Sequence, residues 1–291
     1  MTEVHHFTYG IFNPIAAYLL AFMGSFFGLL CTARARDARN RSRRNRWLGI
    51  AAFAIGGGAI WLMHFAAMLG FEVPASPVRF DIALTLASLA CAVLAVGLGL
   101  LIVGHGRRSV PKVVAAGALT GIGVIGMHYT GMAGMSVAGE MRYDTALVIA
   151  SGVIAIVAAS VAHWFAISVR GWARISGAAA IMAIAVCGMH YTGMAAMSVH
   201  LTPAGLDDVH GIRPLTMIVP ITLITAATIV GVALSALQAM TEEEFTDGAG
   251  TPRRGAHAGS SNPWSLKQAS MPATGRRPSP RPVPLRSTSN S

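Results

Sequence analysis

Seven long apolar segments constrain the fold of this chain more than any other feature. A hydrocarbon core about 30 Å thick needs about 20 residues of helix, because each residue rises about 1.5 Å. Lipid cannot satisfy exposed backbone groups, and a barrel would need shorter, alternating strands. The sequence therefore predicts an all-α integral membrane bundle of seven transmembrane helices. The segments lie near residues 11–32, 47–71, 81–103, 113–137, 145–168, 175–199 and 215–237.

Composition agrees with residence in a bilayer. The 291 residues are 54% hydrophobic and only 12% charged, with a mean hydropathy of +0.57, whereas roughly a quarter of the residues in a soluble domain are charged. The first apolar segment follows MTEVHHFTYG, which contains no basic residue. A cleavable signal peptide would have a basic start, so this segment is expected to be retained as a helix.

The distribution of arginine and lysine predicts the orientation. The loop RARDARNRSRRNR, the loops around 104–112 and 169–174, and the tail after 238 together hold 19 basic residues, whereas the opposite side holds three basic residues and seven acids. Cytoplasmic loops carry the basic excess, which places the N-terminus outside and the C-terminus in the cytoplasm. The formal charge of +10 then indicates contact with anionic membrane lipid, and no nucleic-acid partner is expected.

The composition changes abruptly near residue 241. Residues 241–291 are rich in Pro, Ser, Gly and Arg, which is typical of a disordered segment. We therefore divide the chain into a membrane domain, 1–240, and a disordered cytoplasmic tail, 241–291. About 50 such residues leave no room for a kinase, cyclase or DNA-binding domain, so any signal is expected to pass to a separate partner.

One short motif is repeated three times. GMHYTGMAGMSV at 126–137 matches GMHYTGMAAMSV at 188–199 at eleven of twelve positions, and LMHFAAMLGF at 62–71 is a weaker copy. The copies fall on helices two, four and six, so the repeating unit is a helical hairpin, with the seventh helix left over. These three helices run in the same direction, and we expect His64, His128 and His190 to meet at one level near the outer face.

The motif also carries methionines at helical spacing. One methionine follows each histidine by four residues, another follows the last two histidines by seven, and a third precedes each histidine directly. Residues at i, i+4 and i+7 share a helical face. The candidate metal ligands are His64, His128, His190, Met68, Met132, Met194, Met63, Met127, Met189, Met135 and Met197.

Imidazole and thioether together favour copper. Thioethers are soft and neutral, which suits Cu(I), and imidazole suits copper, zinc, iron or nickel, while no copy contains a carboxylate. A Cu(I) ion with neutral ligands also brings only one positive charge into the membrane. Two simpler interpretations remain open: methionine fills gaps in helix packing, and a membrane histidine can hydrogen-bond neighbouring helices.

These residues resemble the MHYT domain family, through Met127-His128-Tyr129-Thr130, Met189-His190-Tyr191-Thr192 and the degenerate copy Met63-His64-Phe65-Ala66. The resemblance spans roughly residues 7–240. It implies a multi-pass sensor of the bacterial cytoplasmic (inner) membrane that binds copper through the motif and detects oxygen, carbon monoxide or nitric oxide. Family members often carry cyclase, phosphodiesterase or kinase output domains, and this sequence resembles a stand-alone form.

Other functions remain as alternatives. A copper transporter or carrier needs a second ligand layer toward the cytoplasm, for which only His105, His163 and Cys31 are candidates. A metal-free scaffold would bind partners through its arginine-rich loop and tail. An enzyme is not expected, because the apolar segments contain no nucleophile–base constellation or paired carboxylates.

Overall fold

Helices account for most of the described chain, which confirms the predicted all-α class. The computed structural model describes residues 8, 10–74, 76–201, 209–217, 219–220, 222–224, 226–227, 230–231 and 234. A π-helical segment, Phe53–Trp61, joins the second helix to the third without a break. The helices are α1 (Phe12–Asp37), α2 (Arg41–Ala52), α3 (Leu62–Met68), α4 (Ile82–Gly104), α5 (Val110–Ala133), α6 (Thr145–Ser168) and α7 (Trp172–Ala195), followed by a short 3₁₀ helix at Pro214–Met217.

Within the described residues, six spans are long and apolar enough to cross a membrane, so the chain is a multi-pass membrane protein. Five of them are α1, α4, α5, α6 and α7, and the remaining span, Arg41–Met68, comprises α2, the π-helical segment and α3. The predicted seventh helix, 215–237, lies partly outside the described residues, although those described between 219 and 234 are helical. The count of seven and the orientation therefore stay predictions. The predicted tail, 241–291, lies outside the described residues.

The arginine-rich first loop is much shorter than the sequence indicates. α1 continues through Arg34 and Arg36 to Asp37, and α2 begins at Arg41. Arginine is a good helix former, and a positive charge in the last turn is stabilised by the helix dipole. The Asn40 side chain accepts a hydrogen bond from the backbone N–H of Arg43 at 2.8 Å and caps α2. Most of the predicted loop is therefore helical.

The six spans close into a ring. Each span packs against its neighbours along the chain, and α7 returns to pack against α1. The spans alternate in direction, so α3, α5 and α7 end at one end of the ring, and α1, α4 and α6 end at the other. Leu86, Leu94 and Leu98 on the outer face of α4 are more than half exposed, as expected for residues that face lipid. We call the two ends the histidine end and the arginine end, after the residues described below.

Backbone pairing closes each helical hairpin at the histidine end. The Asp81 N–H donates to the Gly134 carbonyl at 2.8 Å, and the Asp144 N–H donates to the Ala196 carbonyl at 2.8 Å. The Thr8 N–H donates to the carbonyl of Gly70 at 3.1 Å. Each accepting carbonyl lies six residues after a motif histidine, so the three hairpins close in the same way. Four short strands extend this pairing, β1 (Arg79–Phe80) with β2 (Met135–Ser136) and β3 (Gly139–Tyr143) with β4 (Met197–Leu201), both antiparallel.

Candidate metal centre

Three histidines meet at the histidine end of the ring. His64, His128 and His190 lie near the C-terminal ends of α3, α5 and α7, and each is at most 1% exposed. The Nδ1 atom of His64 lies 3.0 Å from Nδ1 of His190 and 3.2 Å from Nδ1 of His128. One nitrogen from each ring lies within 4.8 Å of the others. The predicted convergence of the three copies is therefore present in the structure.

The spacing of the three nitrogens suits a metal ion. An imidazole nitrogen binds Zn²⁺ at about 2.0–2.1 Å, so three such ligands around an ion of this size lie about 3.4 Å apart. The two Nδ1 to Nδ1 distances, 3.0 and 3.2 Å, need to grow by only a few tenths of an ångström. Because all three nitrogens lie within 4.8 Å of one another, an adjustment of the rings would let the three histidines hold a metal ion.

Protonation gives a second reason to regard the cluster as a metal site. The Nδ1 atom of a neutral imidazole carries either one proton or one lone pair, so Nδ1 of His64 cannot form full hydrogen bonds with Nδ1 of both His190 and His128. A metal ion held between the rings would take the Nδ1 lone pair of each one, and all three rings would then share one tautomer. Identical tautomers agree with the repeated sequence around the three histidines.

Two glycines leave the space that the imidazole rings of His64 and His128 occupy. A Cβ atom at Gly131 would lie 2.7 Å from Nε2 of His64, and one at Gly193 would lie 2.4 Å from Nε2 of His128. Both Nε2 atoms are buried, with no hydrogen-bond partner in the described part of the chain. Gly131 and Gly193 each follow a motif histidine by three residues, so each ring rests on the helix that carries the next histidine.

An aromatic ring packs edge-on against each histidine. Phe65, Tyr129 and Tyr191 follow the histidines directly, and their ring centroids lie 4.8, 4.9 and 5.0 Å from those of the preceding imidazoles. The Tyr129 hydroxyl lies 3.1 Å from Oγ of Ser151 on α6. The aromatic ring is therefore the shared feature, and this hydroxyl joins α5 to α6.

Six of the predicted methionine ligands lie on the motif helices and are buried. Met63 packs among Ala17 and Ala21 of α1 and Ala183 of α7, apart from the main core. The other five belong to the main core. Burial agrees both with ligation and with packing, so ligation by methionine stays a prediction. The six are Met63, Met127, Met189, Met68, Met132 and Met194.

Met135 and Met197 do not share a helical face with the motif histidines, contrary to the prediction, while their role as ligands stays a prediction. α5 ends at Ala133 and α7 ends at Ala195, so both methionines lie in the strands β2 and β4. The backbone leaves the helix because the carbonyls of Gly134 and Ala196 are taken by the hairpin closures. The side chains are buried, but the i+7 spacing does not place them on the face of the histidines. The same holds for Phe71 in the first copy, because α3 ends at Met68.

A small apolar cavity lies inside the ring. Its volume is about 60 Å³, and all six spans line it, from Met189, next to His190, to Leu100 and His163. A cavity of about 150 Å³ can hold benzene, so this smaller one suits a neutral molecule of two or three heavy atoms. His163, five residues before the end of α6, is only 3% exposed.

The hydrogen bonds of His163 define its tautomer. The Thr120 hydroxyl donates to the Ala95 carbonyl at 3.1 Å, since a carbonyl can only accept, and it lies 2.8 Å from Nε2 of His163. Nε2 must therefore carry the proton and donate it to the Thr120 oxygen. Nδ1 is left as a buried acceptor with no partner among the described residues, in a ring that lines the cavity.

Several positions around the cluster and the cavity were not predicted from the sequence. They are Gly131 and Gly193 against the histidines, Ser151 beside Tyr129, and the Thr120–His163 pair in the cavity lining. The glycines carried a signal, because a small residue follows every motif histidine by three positions: Ala67, Gly131 and Gly193. Ser151, Thr120 and His163 lie on other helices or far from the motif, and no repeat marks them.

Comparison with known proteins identifies the repeats. The family model MHYT, described as a bacterial signalling protein N-terminal repeat, matches residues 57–116 and 121–179. The two matched repeats contain His64 and His128, whereas His190 lies beyond them. No solved structure matches the chain significantly.

Three curated relatives are signalling proteins. The bifunctional diguanylate cyclase/cyclic di-GMP phosphodiesterase MucR of Pseudomonas aeruginosa is 36% identical over 77% of this chain and 34% of its own length. The cyclic di-GMP phosphodiesterase NbdA of the same organism is 34% identical over 65% of this chain and 24% of its own length. The signalling protein YkoW of Bacillus subtilis is 27% identical over 69% of this chain and 26% of its own length. The chain thus spans about a third or less of the length of these relatives.

Proposed function

The chain belongs to the MHYT family of bacterial signalling proteins, and from that premise we propose that it is a sensor of the cytoplasmic membrane that holds copper between His64, His128 and His190. The observation that carries the proposal is the convergence of the three Nδ1 atoms, from three helices, in a buried site without carboxylates. Three neutral ligands favour an ion of low charge, and the surrounding methionines offer soft sulfur donors for Cu(I).

We further propose that the sensed molecule is a diatomic gas: oxygen, carbon monoxide or nitric oxide. Bound copper would supply an open coordination position and a one-electron redox couple. The chain contributes an apolar cavity of about 60 Å³ that is lined at one end by Met189, directly before His190. This size and polarity suit a small neutral molecule better than an ion.

The sensor would transmit its signal through the helices that carry the histidines. The three histidines lie on alternate spans of the closed helical ring. The imidazoles of His64 and His128 each pack against a glycine of the next motif helix. A movement of one imidazole would therefore press on a neighbouring helix. We propose that a separate signalling partner reads this change, and the names of the relatives indicate turnover of cyclic di-GMP as its class of output. Two states with different ligand affinity are required.

Transport is a weaker alternative. A transporter needs a second ligand layer, yet within the described residues no other group of three His, Cys, Asp or Glu side chains converges. His163, one of the candidates, is hydrogen-bonded to Thr120. The arrangement of ligands therefore favours a single resident metal over a path for metal ions.

Metal analysis of the full chain tests the proposal. The protein would be purified in detergent after expression with copper, beside a variant in which His64, His128 and His190 are all alanine. We expect near-stoichiometric copper that is absent from the variant, and an infrared C–O stretch of bound carbon monoxide on the reduced protein only. Wild-type protein that takes up no copper even after addition of Cu(I) would overturn the metal site and favour a scaffold.

A cavity-filling variant tests the gas separately. Ala159 lines the cavity and is buried, whereas Val153 on the same helix is 56% exposed. Ala159→Leu is expected to retain copper but to bind carbon monoxide more slowly, while the control Val153→Leu behaves as wild type. Equal gas-binding rates in all three proteins would exclude the cavity as the route of the gas.

A further inference from the structure

A second, polar cavity lies at the arginine end of the ring. Its volume is about 210 Å³, and Arg36 of α1, Arg44 of α2 and Arg108, between α4 and α5, all line it. His128 lies 18 residues after Val110, the start of α5, which is about 27 Å along the helix at 1.5 Å per residue. This cavity is therefore far from the histidine cluster and independent of the proposed metal.

Two of the three arginines are held in place by the ends of helices. The Arg36 guanidinium donates to the carbonyls of Ala166 and Val169 at the end of α6. The Arg44 guanidinium donates to the Gly104 carbonyl at the end of α4 at 3.5 Å. These carbonyls form the negative ends of the helix dipoles, so they orient the arginines. The guanidinium groups are thus positioned by the fold and do not extend freely into solvent.

Some N–H donors of these arginines have no acceptor among the described residues. The Nε atoms of Arg36 and Arg44 are buried and have no hydrogen-bond partner in the described part of the chain. Arg108 lines the cavity from its exposed side, and its guanidinium makes no hydrogen bond or ion pair with another described residue, so it is accessible to a ligand. A buried donor without an acceptor costs free energy, so these groups favour an acceptor that enters the cavity.

The described residues that line the cavity supply no negative charge to balance the arginines, because none of them is acidic. Asp37, next to Arg36 in the chain, attracts the Arg36 guanidinium, but its carboxylate pairs with Arg170 at 3.1 Å on the exposed surface. Arg108 and Arg170 both repel Arg36. Three guanidinium groups around one cavity repel each other unless an anion lies between them.

We propose that this cavity binds a phosphate group. Guanidinium groups donate paired hydrogen bonds that match phosphate oxygens, and a group with up to two negative charges balances most of the three positive charges. A cavity of about 210 Å³ also has room for a phosphate and for part of the molecule that carries it, and it is larger than a halide ion needs. The phosphate belongs either to a soluble compound or to an anionic lipid headgroup.

Binding of pyrophosphate to the full chain tests the soluble source. Calorimetry in neutral detergent at low salt would compare wild type with Arg108→Gln, which removes one charge and breaks no hydrogen bond to a described residue. Arg46→Gln is the matched control, because Arg46 is exposed on α2 and does not line the cavity. We expect one site per chain and an affinity about tenfold lower in Arg108→Gln, with no change in Arg46→Gln.

Lipid analysis of the same preparations tests the other source. If phosphatidylglycerol is the ligand, native mass spectrometry should find one molecule per wild-type chain and per Arg46→Gln chain, and none in Arg108→Gln. Arg44→Gln serves as a second cavity variant and should act in the same direction. Absence of both pyrophosphate and stoichiometric phosphatidylglycerol from wild type, or equal losses in Arg108→Gln and Arg46→Gln, would overturn the proposal.

Discussion

The two ends of the helical ring use polar residues in opposite ways. At the histidine end, three neutral rings from three copies of one motif face each other in a closed core. At the arginine end, three charged side chains from unrelated positions line a polar cavity, and two of them, Arg36 and Arg44, donate hydrogen bonds to carbonyls at the ends of other helices. Leu100 is buried and lines both the apolar cavity and the polar one, so the two cavities share a lining residue.

The difference shows how a membrane bundle can hold two kinds of ligand. A closed site of neutral donors excludes water and suits a weakly charged metal ion, whereas an arginine site stays close to the surface because buried unpaired charges are costly. Substitutions at the histidine end should therefore lower metal affinity when they remove a ligand or fill the space beside an imidazole. Substitutions at the arginine end should lower stability when they remove a charge that caps a helix.

The largest expected effect is at the histidine end. His128→Ala removes one of three converging nitrogens. Loss of a group that only orients a metal ligand lowers affinity by about 10–100-fold, so loss of the ligand itself should lower copper affinity by more than about a hundredfold. Copper per chain, measured by elemental analysis, checks this. His105→Ala, at the arginine end, is the control and should keep its copper. Retention of copper in His128→Ala would show that the histidines only pack.

The second largest effect is expected when the space beside the His128 imidazole is filled. Gly193→Ala places a Cβ 2.4 Å from Nε2 of His128, whereas a Cβ at Gly188 on the same helix meets nothing within 4 Å. Overpacking of this kind typically costs about 1–3 kcal/mol, and a displaced ring should lower copper affinity about tenfold. Melting temperature and copper binding should both fall in Gly193→Ala and remain unchanged in Gly188→Ala. Identical behaviour of the two variants would argue against the interlocked rings.

At the arginine end, stability should change without any change in copper. Arg36→Gln removes the charged donor from the carbonyls of Ala166 and Val169, and hydrogen bonds to charged groups are worth about 1.5–3 kcal/mol. Thermal unfolding should begin a few degrees lower than in wild type, while copper content stays the same. Arg46→Gln is again the control. A loss of copper in Arg36→Gln would mean that the two ends are not independent.

The smallest effect is expected for the tyrosine hydroxyl. Tyr129→Phe removes the contact with Ser151 but keeps the ring against His128, and the first copy already has Phe65 at this position. A typical hydrogen bond contributes about 0.5–1.5 kcal/mol, so the melting temperature should fall slightly and copper binding should persist. Substantial copper loss would give this hydroxyl a role in ligand positioning that the first copy lacks.

The sequence by itself determined the helical class, the membrane spans and the meeting of His64, His128 and His190. Hydrophobic length is a local property, and equal spacing of a repeated motif on parallel helices puts equivalent residues at equal depth. The family followed from the same residues, because the motif and its repetition are both readable along the chain.

Tertiary structure alone decided how the helices end and what fills the space between them. Met135 and Met197 left the helical face because carbonyls at the ends of α5 and α7 pair with amides from the start of each hairpin. The fit of His128 against Gly193, and the meeting of Arg36, Arg44 and Arg108, depend on contacts between helices distant in sequence. Such contacts depend on side-chain packing and on the closure of the helical ring. The arginines carry no repeated signal in the sequence, and the repeated small residue at Gly193 does not by itself show which imidazole packs against it.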